Sequence, residues 1–385
     1  MKANTFDAIV IGSGSVGVPA AMSLAEKKLK VLVVDSLAST GQGSNKAAIG
    51  GVRATHSDGA KIRLSLRSLE IFSTWKEKYG DDIGWRKGGY LFPAYTESDE
   101  RLMRDLLKIQ KSFGLNIDWL APADIKRVVP GINPENLRGG TFSPDDGNAS
   151  TLLSTTAFHR RARELGVEFR YRESVTAVTA EKGKVKGVAT SRGKYSAPLV
   201  VNAAGMNAKE IAAMARLDAP VSPDSHEAGI TEPVARLFDP MVVDIREEAG
   251  SKNYYFCQNS EGQIVFCITP HPPAWGSDRA PTSWFLPTVS RRMINLLPRL
   301  GAIKVRRVWR GLYPMTPDGF PIVEAAAEPE GFIQAVGMCG QGFMLGPGVG
   351  ELVARMAAGS PAAGDKDVLK SFSGKRSFTG MEKFK

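Results

Sequence analysis

The stretch Gly12-Ser13-Gly14-Ser15-Val16-Gly17 constrains this chain more than any other. Before it runs an apolar, β-branched segment, Phe6 to Ile11, and after it a helix-forming segment to about Lys27. A second apolar run, Val31 to Val34, then ends at Asp35. In that setting of strand, turn, helix and strand, the G-x-G-x-x-G spacing has physical content. Gly12 permits the tight turn, Gly14 lets a pyrophosphate approach the backbone, and Gly17 lets helix and strand pack closely. Unsatisfied N–H groups at the helix start hold the phosphates, so Ser13, Ser15 and Val16 count with the site. Asp35, about 20 residues beyond the motif with Ser36 beside it, is placed to take ribose hydroxyls. The N-terminus therefore predicts a dinucleotide-binding βαβ unit.

Composition narrows what surrounds that unit. The 385 residues suffice for two or three domains around a large core. Ile9 to Ala25 is apolar enough to resemble a membrane span, but it carries the motif glycines and Pro19, which a βα unit explains better. Three cysteines, Cys257, Cys267 and Cys339, without a C-x-x-C, support neither a disulfide framework nor a zinc site, and no metal is expected. A cytoplasmic home follows. The net charge of +10 is scattered, with no nucleic-acid module, so no nucleic acid is expected as partner. A basic surface can still steer anionic substrates or rest against anionic lipid, which leaves a peripheral place at a membrane open; no transmembrane segment is expected.

Further along, Ser36 to Arg53 reads as a small-residue loop beside the nucleotide, and Asp58 to Tyr79 as a helix ending at Gly80. From Gly84 the texture changes. Gly88 to Ala94 reads as a strand, Glu97 to Phe113 as a helix capped by Thr96 or Ser98, and Gly139 to Ser143 as another strand. Ala149 to Gly166 returns to helix, and a hairpin turns at Lys182-Gly183. Leu199 to Gly205 is a buried strand ending in small residues. Strands at Ala228 to Glu232, Met241 to Ile245, Asn253 to Gln258 and Gln263 to Thr269 follow, the last two joined by a turn at Asn259 to Gly262. Alternation puts Tyr255 and Cys257 on one face and Tyr254 and Phe256 on the other. A helix from about Leu345 to Ala358 and a loosely held basic tail, Ser371 to Lys385, close the chain.

The opening motif, the Val200 to Gly205 strand, GLYPMTPDGFPIV from Gly311 and GMCGQGFMLGPGVGE from Gly337 together resemble one family. It is the FAD-dependent amine and amino-acid oxidoreductases of the D-amino-acid oxidase type, and in particular its sarcosine oxidase β-subunit, glycine oxidase and dye-linked proline dehydrogenase groups. The resemblance implies an α/β fold: a Rossmann-type FAD-binding domain with a discontinuous α+β substrate domain containing a large, mostly antiparallel sheet. With the changes of texture it places the first domain at 1–83, 145–219 and 305–385, and the second at 84–144 and 220–304. It implies that Gly43, Ser44, Lys46, Ala47, Ala48, Ile49 and Gly50 run under the pyrophosphate and flavin. Val175 matches the position whose backbone meets the adenine, and Ala203, Ala204 and Gly205 a second nucleotide contact. Gly340, Gln341, Gly342, Phe343 and Met344 match the turn facing the flavin pyrimidine.

This chain also departs from the family. Monomeric sarcosine oxidases link FAD through a cysteine where Gly311 stands, so FAD is expected to be non-covalent. Their carboxylate-holding arginine and lysine align with His56 and Met344, and the arginine of glycine oxidase with Tyr313. Arg53 is then the remaining cation near the pocket, facing substrate or flavin. The strand Gln263 to Thr269, where an oxygen-activating lysine would fall, has no basic residue, which favours a dehydrogenase over an oxidase. Tyr255 matches a tyrosine facing the substrate, or is a cross-strand aromatic; Gln341 contacts substrate or cofactor, or caps a helix; His56 is drawn to the site by its loop. His159 reads as a surface side chain, and His226 and His271 receive no role. The expected reaction is oxidation of the C–N bond of a small secondary amine or amino acid, sarcosine, glycine or proline being examples, by hydride transfer to flavin N5. Electrons would pass to a quinone, an electron carrier or oxygen. The alternatives are a 2-hydroxy acid dehydrogenase and a β-like flavin subunit of a hetero-oligomeric amine dehydrogenase.

Overall fold

The computed structural model describes residues 4–383. Four buried residues, Ala8–Ile11 (β1), pair in parallel with Val31–Val34 (β2) on one side and with Leu199–Asn202 on the other. Flanking strands Glu168–Arg170, Phe332–Val336 and Ile322–Ala325 complete a six-stranded sheet drawn from both halves of the chain. β1 and β2, buried along their whole length, are uniformly apolar, as strands covered on both faces are. The helix Gly17–Glu26 (α1) connects β1 to β2 and packs against the helix Gly342–Ala357. Their approach is close enough that a Cβ at Gly346 would fall 1.9 Å from the Ser15 carbonyl oxygen. The Gly342–Ala357 helix starts three residues earlier than expected, so Gly342, Phe343 and Met344 form its first turn.

The second sheet has eight strands in the order Val305–Met315, Ser222–Pro233, Gln263–Pro270, Ser251–Gln258, Met241–Asp244, Tyr90–Ala94, Gly139–Ser143 and Asp118–Leu120. Every neighbouring pair is antiparallel except Met241–Asp244 with Tyr90–Ala94. Period-two alternation decides its faces. Tyr254 and Phe256 pack with Phe285, Val289 and Leu296 of the helix Phe285–Leu296. Tyr255 and Cys257 look the other way, toward Tyr90, Phe92 and Val243.

Two expectations need correcting. The boundary at residue 304 falls one strand too early, because Val305–Met315 pairs along almost all of Ser222–Pro233. Nor is the tail loose over its described residues, which end at Lys383. Arg376 donates to the buried Asp318 carboxylate at 2.6 and 2.9 Å, and Glu382 is itself buried. Ionic anchors with long-range partners leave no local signature in a polar, basic stretch.

Candidate active site

Two adjoining cavities lie between the sheets, an elongated one of about 390 Å³ and a compact one of about 90 Å³. Ala48, Ile49, Tyr255, Tyr313, Gly340 and Phe343 line both, so they form the partition. The long cavity starts at the N-terminal motif. Gly12 has φ +104, and a Cβ there would meet the Ala203 carbonyl oxygen at 2.5 Å; at Gly17 it would meet that of Gly12 at 1.9 Å. Both glycines are thus explained by the protein's own turn and packing. Gly14 and Gly43 differ: neither has a positive φ, and a Cβ would find no protein atom within 4 Å. They line the long cavity, and the space they leave open suits a ligand pressed against the backbone.

The same cavity is lined by Ser13, Ser15, Val16, Asp35, Ser36, Ser44, Ala47, Val175, Ala203, Ala204, Gly205, Gly311 and Gly342. Gly17 supports it from behind, and Lys46 is exposed and points its ammonium at Gln42 (3.4 Å), away from the cavity where the sequence placed it. Asp35 is preorganised: its Oδ2 accepts from the Ser13 amide and hydroxyl at 2.7 Å each, and its Oδ1 from the Leu37 amide at 2.8 Å. A carboxylate has about four lone-pair sites, so one remains for a ligand hydroxyl. Neither α1 nor the Gly342–Ala357 helix has a side-chain cap or an acid in its first turn. A Cβ at Gly342 would stand 3.4 Å from Ser15 Oγ, so the two positive helix ends converge. Gln341 makes no capping bond, and its Oε1 is buried without a protein partner in the compact cavity. The residues present therefore fit a dinucleotide, with apolar walls, open glycines and helix ends for an anion.

The compact cavity is lined by Arg53, Tyr90, Asn253, Tyr255, Thr269, Tyr313, Gln341 and Met344 among others, with Gly50 at its edge. Arg53 is the one charged side chain among its described lining residues, and it is 7% exposed. It lies over the Phe92 ring at 5.7 Å and donates to His56 Nδ1 at 3.3 Å. Since a guanidinium only donates, His56 carries its proton on Nε2 and gives it to Ser65 Oγ at 2.9 Å. Burial first, then Arg53, holds the His56 imidazole well below its ordinary pKa, hence neutral. His56 lines neither cavity: the loop expectation is corrected to a place behind Arg53.

That hidden layer continues. Lys61 and Glu382, both with fully buried side chains, pair at 3.1 Å, and Glu382 accepts from the Ser57 amide and hydroxyl at 3.1 and 2.6 Å. Burial pushes the Glu382 carboxyl up, but Lys61 and the Ser57 bonds hold it well below the usual range. Asp146 accepts from the Ala54 amide at 2.9 Å and from Thr55 at 2.7 Å; burial nevertheless pushes its carboxyl up to about 6. At the partition, the Tyr255 and Tyr313 hydroxyls are 2.6 Å apart, and burial raises both pKa values far above 10, so both stay neutral.

Sequence reasoning missed Tyr90, Asn253 and Thr269 in the compact cavity and Glu173 and His226 in the long one. The signal for His226 was its spacing two residues after Asp224, readable only once the strand is known to start at Ser222. No three His, Cys, Asp or Glu side chains converge as metal ligands among the described residues, and none of their helices is long and apolar enough to cross a membrane.

A dinucleotide cradle opening onto a roofed compact pocket is the architecture of a flavin-dependent oxidoreductase. Residues 7–356 match the FAD dependent oxidoreductase (DAO) family, and the chain belongs to it, with FAD as cofactor. The L-proline dehydrogenase from P. horikoshii has a crystal structure 31% identical to this chain, covering 94% of it and 95% of that chain at a TM-score of 0.88. Glycine oxidase from Geobacillus kaustophilus shares the fold, with 23% identity, a TM-score of 0.86 and coverage of 97% and 99%. In sequence, glycine oxidase of Bacillus licheniformis is 26% identical over 367 residues, 92% of this chain and 94% of that protein. The bifunctional protein ThiO/ThiG of Synechocystis is 26% identical over 351 residues, 89% of this chain; the chain spans about half (50%) of that protein's length.

Proposed function

We propose that the protein oxidises the C–N bond of a small amino acid or secondary amine bearing a carboxylate, of the glycine, sarcosine or proline kind, to an imine. The observation that carries this reading is Arg53, a buried cation in a compact cavity otherwise lined by neutral groups. A substrate carboxylate offers it a bidentate partner. Bound FAD supplies the hydride acceptor. The protein's part is orientation and dehydration. Arg53 holds the carboxylate, the Gln341 amide oxygen accepts from the amine, and Tyr255 and Tyr313 remain hydroxyl donors too weakly acidic to act as bases. Burial in a largely apolar pocket disfavours the ammonium form, so the amine becomes reactive without a dedicated base.

Two features refine the reading. At Gly311 the chain offers no linking side chain, and a Cβ there would lie 2.7 Å from that of Ala47, which supports non-covalent FAD. The strand Gln263–Pro270 presents no cation beside the partition, which favours a quinone or electron carrier over oxygen as acceptor. A similarity to the sarcosine oxidase β-subunit of Rhodobacter capsulatus, 22% identical over 362 residues, supports testing for a companion subunit. The deciding experiment is anaerobic bleaching of the flavin with a panel of amines, amino acids and 2-hydroxy acids, followed by reoxidation with air or an artificial dye. Bleaching by small amino acids and slow reoxidation by air are expected. Bleaching by hydroxy acids alone would overturn the substrate class, and reoxidation by air as fast as turnover would make the enzyme an oxidase.

A further inference from the structure

Asp224 and His226 form a buried pair on the strand Ser222–Pro233, two residues apart and so on one face. His226 Nε2 lies 3.0 Å from Asp224 Oδ2, and Asp224 Oδ1 accepts from the Ala274 amide at 2.9 Å. The imidazole is stacked on Tyr313, with ring centroids 3.8 Å apart and planes 15° from parallel. Gly340 also packs against Tyr313: a Cβ there would come within 2.2 Å of the ring. His226 is opposite Gly311 across the strand pair and lines the long cavity where it adjoins the compact one. It therefore stands behind the two tyrosines of the partition.

The charges around the long cavity give the pair a role. Its acidic lining residues are Asp35, Glu173 and Glu210, and the lining side chains able to be cationic are His226 and Arg279. Arg279 reaches toward Met206, on the nucleotide side. Cys267, with its thiol pushed up to about 11 by burial, and Tyr255 and Tyr313 add no charge at the partition. A carboxylate buried beside an imidazole favours the imidazolium, since a lone buried charge is costly. With Nε2–H directed at Asp224, the second proton goes to Nδ1. A hydride carries two electrons and one proton, so accepting it adds one negative charge to the cofactor. A fixed, desolvated cation lowers the free energy of that state.

We propose that His226, charged through Asp224, is the cation this chain sets at the flavin end of the cofactor cavity, stabilising the reduced cofactor and holding Tyr313 in register. The role depends on bound FAD and not on which substrate reduces it, so a wrong substrate class leaves it standing. The test compares wild-type and His226→Gln holoenzyme of equal FAD content, each equilibrated with a redox dye at pH 7. The oxidised form should gain at least tenfold in the variant, about 30 mV for a two-electron couple. An unchanged equilibrium overturns the proposal. Should the variant fail to hold FAD, the wild type answers by itself. The chain has four histidines, and ¹⁵N-imidazole spectra of the reduced holoenzyme, with His159 and His271 assigned by substitution, leave the neutral His56 and His226. One imidazolium among those two at pH 7.5 supports the proposal, and two neutral rings overturn it.

Discussion

The two sides of the partition are built by opposite means. The cofactor side is made of absences: glycines without side chains, helix ends without caps, and a backbone close enough to touch a ligand. The compact side is made of buried ionisable side chains, Arg53 in front and His56, Lys61 and Glu382 behind. The first needs only space, and local sequence supplies it. The second needs each buried charge matched by another, and the partners come from distant segments. A dinucleotide presents the same phosphates and rings to every protein, whereas a compact pocket has to select one small molecule.

That contrast can be broken from either side, and the largest effect belongs to the cofactor half. Gly14→Val fills the open space beside the motif and should abolish FAD binding, read as loss of flavin absorbance in folded protein. Full FAD content in that variant would mean that the space has another purpose. On the substrate side, Arg53→Gln should leave FAD content unchanged and lower kcat/KM for a carboxylate substrate on the order of 100-fold, as losing a charged hydrogen bond of about 3 kcal/mol would. Arg53→Lys should recover only part of this, because a guanidinium fork and an ammonium hold a carboxylate differently. Equal losses for a substrate without a carboxylate would refute the assignment of Arg53.

Behind the pocket, Glu382→Gln keeps an acceptor for Ser57 but leaves Lys61 buried without its counter-charge. A loss of about 3 kcal/mol is expected in denaturant unfolding. The folded Glu382 carboxyl is depressed, so its stabilisation is present above the unfolded value, about 4.3, and is lost as pH falls through the lower folded value. The difference between wild type and variant should therefore be level from pH 8 to 5 and shrink only in stronger acid. The last effect concerns Asp146, whose folded value of about 6 exceeds the unfolded one near 3.9. Ionising it costs stability, and the cost enters as pH rises from about 4 to about 6. Asp146→Asn should flatten the stability profile over that window; a slope identical to wild type would show that Asp146 does not titrate there.

How much of this could be read in advance follows the same division. The N-terminal unit was legible because turn, spacing and helix start constrain one another within some thirty residues. Alternation separated Tyr255 and Cys257 from Tyr254 and Phe256 as the structure does, and the turn at Asn259 to Gly262 marked one antiparallel pair of the sheet. His226 was hidden because the strand was read only from Ala228, and a proline such as Pro223 ordinarily excludes a strand interior. In the structure that strand starts at Ser222, paired with Met315. Lys61 and Glu382 were hidden for a different reason: no periodicity joins residues from opposite ends of the chain. Arg53 and His56 were both noticed, but not that one stands behind the other, since a loop histidine looks the same whether it touches a ligand or props up an arginine.

The docked tail has a practical consequence. Its two anchors, Arg376 and Glu382, are separated by five residues, of which Ser377, Thr379, Gly380 and Met381 are exposed. A protease that cuts this short link releases the second anchor while leaving the six-stranded sheet and its glycines untouched. Such a clipped protein would stay yellow and elute with full flavin content, yet be less stable and bind its substrate poorly. Colour then measures how much cradle a preparation contains, and an intact mass is needed to say how much enzyme.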